Sequence, residues 1–164
     1  QYVFQEQRIM QEITTQSSGN FATRLLASFQ DEYNLYLVMR YYPLDLWGLV
    51  CSMPVDFTLE AIQFYAAELI LGIEQLHNLG IIHGDLKAAN VLVTPTGHLA
   101  LTDFNLSFRV QLGNQEALRD AQMRGYMVGT IGYLAPEVLK WSENGVNYTG
   151  QVDLWAYGII LGEL

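Results

Sequence analysis

An α+β chain is what three features of the sequence predict. From Thr58 to Leu79 the positions Ile62, Ala66, Leu69, Ile73 and Leu76 keep the spacing of one helical face. Near the start, Tyr2, Glu6, Ile9 and Ile13 share such a face too. Two pairs of short apolar segments flank turn-like sequences, "QDEYN" and "TPTG", and read as antiparallel hairpins.

Taken in order, "YVFQEQRIMQEI" is the first helix, and Glu6 places a carboxylate in its otherwise apolar stripe, where a cation is the expected partner. "FATRLLASF" and "LYLVMRYY" form the first hairpin, which Pro43 ends. The long helix follows, with Gly80 as its C-terminal cap. Strands in "NVLV" and "HLALTDF" make the second hairpin around "TPTG". "TTQSSGN" (14–20) and "SENGVNYTGQ" (142–151) read as polar loops.

The 164 residues are 51% hydrophobic, enough for one compact unit, or part of one, that buries roughly two-thirds of its unfolded surface. Net charge is −9, and the eight basic residues are scattered, so nucleic acid and anionic membrane are poor partners. The single cysteine, Cys51, excludes an internal disulfide framework and predicts a reducing, intracellular compartment such as the cytoplasm. No apolar run reaches the roughly 20 residues of a membrane span, and "QYVFQEQ" is unlike a signal peptide.

"IIHGDLKAANVLV" (81–93) sets Asp85, Lys87 and Asn90 between two apolar stretches, where a loop pinned at both ends presents polar groups with little slack. A hairpin turn centred on Thr96 and Gly97 would oppose residues whose numbers sum to 193, and so Asn90 to Asp103, with Cβ atoms about 5 Å apart. That separation suits two oxygen ligands on one hard cation such as Mg²⁺. Each residue alone is better explained by turn chemistry; jointly they favour a site.

These segments resemble the protein kinase family, several separated motifs matching in the family's order. "HGDLKAAN" is similar to the catalytic loop, which implies that Asp85 orients the substrate hydroxyl, Lys87 touches the transferred phosphoryl group and Asn90 holds metal. "DFN" (103–105) resembles the metal-binding DFG, with Asp103 bridging Mg²⁺ to ATP phosphates. "GTIGYLAPE" (129–137) resembles the substrate-docking segment and "DLWAYG" (153–158) the start of the central C-lobe helix. Lys87 with Thr130 implies the Ser/Thr branch, and "FYAAELILGIEQLHNLGIIH" is most like the AGC group. Glu6 matches the αC glutamate, Met39 the gatekeeper, Arg40, Tyr41 and Tyr42 the hinge, and Leu92 the residue beneath adenine. Met10, Leu25, His83 and Phe104 match the internal spine anchored by Asp153, whereas His77 and His98 carry no signal beyond surface or strand-edge positions. The resemblance implies a partial kinase fold: αC helix, two N-lobe strands and hinge over 1–42, and the first, mainly helical part of the C-lobe over 43–164.

The departures are as informative. No glycine-rich loop precedes Glu6, and lysine stands only at 87 and 140, so Glu6 lacks its family partner and an internal kinase segment, inactive and poorly soluble by itself, is expected. "LWAYGIILGEL" is apolar all round, like a buried helix. Gly84 occupies the place of an arginine that in many kinases receives an activation-loop phosphate, and between Ser107 and Thr130 the only hydroxyl is Tyr126; together these predict loss of the phospho-switch. Asn105 replaces the DFG glycine, a substitution that left-handed backbone tolerates better in asparagine than in most residues. Ala89 argues against basophilic substrates, and the sequons at Asn105 and Asn147 are incidental in an intracellular protein. The leading reading is a protein serine/threonine kinase using ATP and Mg²⁺ on protein hydroxyls. A pseudokinase scaffold is the alternative, and a small-molecule phosphotransferase ranks below it because "GTIGYLAPE" is a peptide-docking strip.

Overall fold

The computed structural model describes residues 2–17, 19, 21–52, 58–110, 129–139 and 149–164, and the architecture is α+β. Tyr126 and most of "SENGVNYTGQ" lie outside the described residues.

Helix α1 (Tyr2–Gln16) buries Ile9, Met10 and Ile13 on one side. It packs on the hairpin of β1 (Leu25–Gln30) and β2 (Leu35–Met39), where the Leu25 amide donates to Thr14 Oγ1 at 2.9 Å. The hairpin runs in register from Leu25 opposite Met39 to Gln30 opposite Leu35, with an irregularity between Leu25 and Ala27. Its turn is held by Asp31, whose Oδ1 accepts the amides of Tyr33 and Asn34.

After β3 (Leu44–Asp45) and the short α2 (Leu46–Ser52) comes α3 (Leu59–Asn78), the longest helix. Thr58 caps its start, accepting the Ala61 amide on Oγ1 at 3.2 Å, and Gly80 ends it in left-handed backbone, φ +70°. Leu69, Ile73 and Leu76 are buried as the periodicity predicts, with Gly72 beside them, while Ile62 and Ala66, nearer the N-terminus, are half-buried.

Strands β5 (Val91–Val93) and β6 (Leu99–Leu101) pair antiparallel, and β3 joins β5 from the other side. The pair β4 (Ile81–Ile82) and β7 (Phe108–Arg109) brackets the stretch from His83 to Ser107. Helices α4 (Pro136–Leu139) and α5 (Gln151–Glu163) complete the described elements. Helix α5 is apolar on all sides yet buries only one face: Val152, Ala156 and Ile160 are in the core, whereas Leu154 and Trp155 are exposed. The larger hydrophobic cluster among the described residues runs through α1, β1, α3, β5, β6 and α5, and a second one gathers Ile82, Phe108, Leu134, Ala135, Val138 and Val152.

The second hairpin corrects the expected register. Val91 opposes Leu101 and Val93 opposes Leu99, so opposed numbers sum to 192 rather than 193, and Asn90 faces Thr102, whose amide donates to the Asn90 carbonyl at 3.0 Å. The connection is a three-residue loop. Gly97 donates its amide to the Thr94 carbonyl and then adopts φ +84°, the left-handed position that shifts an odd loop by one residue. Asp103 therefore lies one step past the ladder.

Candidate functional site

The polar centre is a closed set of hydrogen bonds around Asp85, which is 7% exposed. Its Oδ1 accepts from both the amide and the hydroxyl of Thr130, each at 2.7 Å, and its Oδ2 accepts from Lys87 Nζ at 2.9 Å. Lys87 Nζ also donates to Thr130 Oγ1 at 2.9 Å. The Thr130 hydroxyl gives its only proton to Asp85 and accepts from Lys87, and two of the three ammonium protons are placed within the triangle. Asn90 Nδ2 donates to the Asp85 carbonyl at 2.9 Å and lies 3.4 Å from Oδ2, which turns the amide oxygen away from Asp85.

Backbone geometry makes this closeness possible. Gly84 has φ +78°, and a Cβ there would lie 3.0 Å from the Leu106 carbonyl oxygen. Gly129, φ +122°, lets the segment carrying Thr130 approach: a Cβ would meet Leu134 Cδ2 at 2.7 Å and the Gly84 carbonyl at 3.2 Å. Both glycines answer a steric requirement, so the absence of an arginine at Gly84 coincides with backbone that disfavours any side chain.

Beneath the loop, Asp153 is 1% exposed and accepts the amides of His83 (Oδ2, 2.9 Å) and Gly84 (Oδ1, 3.0 Å). His77 Nε2 lies 2.9 Å from the same Oδ2. The His83 ring bonds the Thr102 carbonyl at 2.9 Å and packs 5.5 Å from the Phe104 ring, and Met10, Leu25, His83 and Phe104 are all buried. His77 and His98, for which the sequence gives no signal beyond surface or strand-edge positions, each face a carboxylate: His77 Nε2 lies 2.9 Å from the buried Asp153, and His98 Nδ1, beside the start of β6, lies 2.6 Å from Glu68 Oε1. Separations of 76 and 30 residues hide such pairs from local patterns.

Asp103 is the one non-glycine residue with positive φ among those described, at 64°. Asn105 lies instead in the 3₁₀ turn Phe104–Leu106, so the left-handed demand expected at Asn105 falls two residues earlier. Glu6 faces this turn. Burial raises its pKa above the ordinary 4.5, the charge of Asp103 adds to the rise, and the Phe104 amide opposes it. Among the described residues no cation pairs with Glu6 or Asp103. Glu6 and Asp103 lie close enough for their charges to interact, and carboxylate oxygens such as these, with an amide oxygen such as that of Asn90, are by their chemistry ligands that fit Mg²⁺.

The remaining predicted residues separate. Met39 is half-buried against the core, and Leu92, half-buried on β5, opposes Ala100 and Asp45. Arg40, Tyr41 and Tyr42 line a groove whose walls include none of Asp85, Lys87, Asn90, Leu92 and Asp103.

The model of the protein kinase domain matches residues 1–164. The chain is 40% identical over 144 residues to ribosomal protein S6 kinase alpha-1 of Mus musculus, covering 87% of this chain and 18% of that protein. It is 37% identical over 163 residues to serine/threonine-protein kinase MRCK gamma of Homo sapiens, covering 98% of this chain and 10% of that protein. The chain therefore spans about a fifth or less of the length of these curated relatives.

Proposed function

The chain belongs to the protein kinase family, and on that premise we propose that the protein transfers the γ-phosphoryl group of ATP to serine or threonine hydroxyls of protein substrates. The observation that carries this reading is the Asp85–Lys87–Thr130 triangle, a carboxylate and an ammonium fixed against each other and against a hydroxyl.

Phosphoryl transfer passes through a loose transition state, so the protein's work is positioning and charge neutralisation. A carboxylate offers about four acceptor sites; at Asp85 Thr130 takes two, Lys87 one, and the fourth meets only the long 3.4 Å approach of Asn90 Nδ2. An incoming hydroxyl would displace that weakest contact. Asp85 would orient that hydroxyl and receive its proton, a role typically worth about 10² to 10⁴ in rate. Lys87 would swing its ammonium onto the transferring group while Thr130 keeps Asp85 in place. Asn90 and Asp103 would hold Mg²⁺, which when bound supplies charge neutralisation at the nucleotide phosphates. Glu6, Met39, Leu92 and the Arg40–Tyr42 segment stay the family-derived candidates for the nucleotide side. The lone Cys51 supports an intracellular setting, and among the described residues no helix is long and apolar enough to cross a membrane.

The decisive measurement pairs turnover with nucleotide binding on the Asp85→Asn variant of the full protein. Loss of at least 10²-fold in peptide phosphorylation with ATP affinity kept within a few fold is expected. Activity equal to wild type would remove Asp85 from the chemistry, and a wild type that binds ATP without turnover would establish the pseudokinase reading.

A further inference from the structure

The groove beside Arg40 is separate from the Asp85 centre and has a volume of about 830 Å³, within the range of ligand sites. Two of the eight basic residues of a chain with net charge −9 line it, Arg24 and Arg40. Among the described residues neither has a carboxylate partner. The acid in the wall, Glu68, is occupied: Oε1 faces His98 Nδ1 at 2.6 Å and Oε2 accepts the Leu99 amide at 2.8 Å.

Arg24 is fixed in place through one nitrogen, Nη2, which donates to the carbonyls of Ser17 (3.1 Å) and Gly19 (2.9 Å). Its Nε is buried and has no acceptor. The main-chain bonds hold the guanidinium, and with it the positive charge, at one place in the groove wall. Arg24, Arg40 and Tyr42 line the same groove, and both guanidinium charges oppose the pKa rise that burial causes at the Tyr42 phenol. The rest of the wall is aromatic and apolar: Phe21 and Tyr42 are half-buried, Tyr41 is 84% exposed, and Pro95 borders the rim. Arginine and tyrosine around a concave surface are the residues that dominate protein recognition.

We propose that this groove binds an extended acidic peptide segment of a partner protein, carboxylates on Arg24 and Arg40 and an aromatic side chain against Tyr41 and Tyr42. Charge complementarity selects the acid, and the exposed tyrosine selects a peptide over a bare anion.

The test uses the full protein and two sets of fluorescein-labelled octapeptides, one with three glutamates around a phenylalanine, the other with glutamine at those positions, read by anisotropy. The glutamate set should bind at least tenfold tighter, and Arg24→Gln should abolish the difference. Since Arg24 also holds two carbonyls, Arg40→Gln, at an exposed residue, is the variant insensitive to misfolding, and it should remove most of the difference. Equal binding of the two sets, an unchanged difference in Arg40→Gln, or full displacement by millimolar inorganic phosphate would each overturn the proposal.

Discussion

Replacing Asp153 tests whether the loop of the site is held from below. Its carboxylate meets two backbone amides and His77, at 2.9 to 3.0 Å. In Asp153→Ala the amides of His83 and Gly84 lose their acceptor inside a residue environment that is 1% exposed. An unsatisfied buried donor costs about 1–3 kcal/mol, and breaking a buried charged set typically costs about 3–5 kcal/mol. About 3–5 kcal/mol is therefore expected, against a total of about 5–15 kcal/mol for a domain. Asp153→Asn keeps one acceptor oxygen and turns an NH₂ toward the second amide, so about 1–3 kcal/mol is expected. Urea unfolding of wild type and both variants, with slopes compared, measures the order. A loss under 1 kcal/mol in Asp153→Ala, or equal losses in the two variants, would refute the claim that these bonds carry the loop.

Thr130→Val keeps the amide bond to Asp85 but removes the hydroxyl between Asp85 and Lys87; turnover should fall by about 10- to 100-fold with little change in protein stability, and Thr130→Ser should restore most of it. Gly84→Ala forces a side chain into φ +78° and against the Leu106 carbonyl, so unfolding free energy should drop by about 1–3 kcal/mol. Glu6 titrates with a folded-state pKa above 4.5, so the stability linked to its proton is complete below the ordinary value and is lost as pH rises through the raised one. Glu6→Gln in the 164-residue chain should accordingly match wild type near pH 4 and melt higher at pH 8; the opposite order would mean that a cation reaches Glu6.

The helical elements were readable because periodicity is local. Helix α3 shows it in Leu69, Ile73 and Leu76, each buried as the spacing requires. The family was readable because its motifs are short and ordered, and the comparisons bear that out. Register was not: one residue of loop length separates a sum of 193 from 192, and nothing in "TPTG" distinguishes a two-residue turn from a three-residue loop with Gly97 left-handed. Pairs across the fold, Asp85 with Thr130 and His77 with Asp153, depend on chain segments 45 and 76 residues apart, beyond any periodic signal.

The backbone at Asp103 joins the fold to the site. A left-handed non-glycine residue costs roughly 1–2 kcal/mol, and the surrounding contacts hold it there. Phe104 is completely buried against His83, the Ser107 hydroxyl donates to the His83 carbonyl at 2.9 Å, and Gln5 of α1 donates to the Ser107 carbonyl at 2.6 Å. Those three bonds and contacts clamp the residues after Asp103, while the β6 ladder clamps those before it. With both sides fixed, the unusual turn is what lets Phe104 enter the core and the Asp103 charge stand near Glu6 at the same time. Asn105, outside the left-handed position and exposed, bears none of this load, so the backbone makes no demand for glycine there.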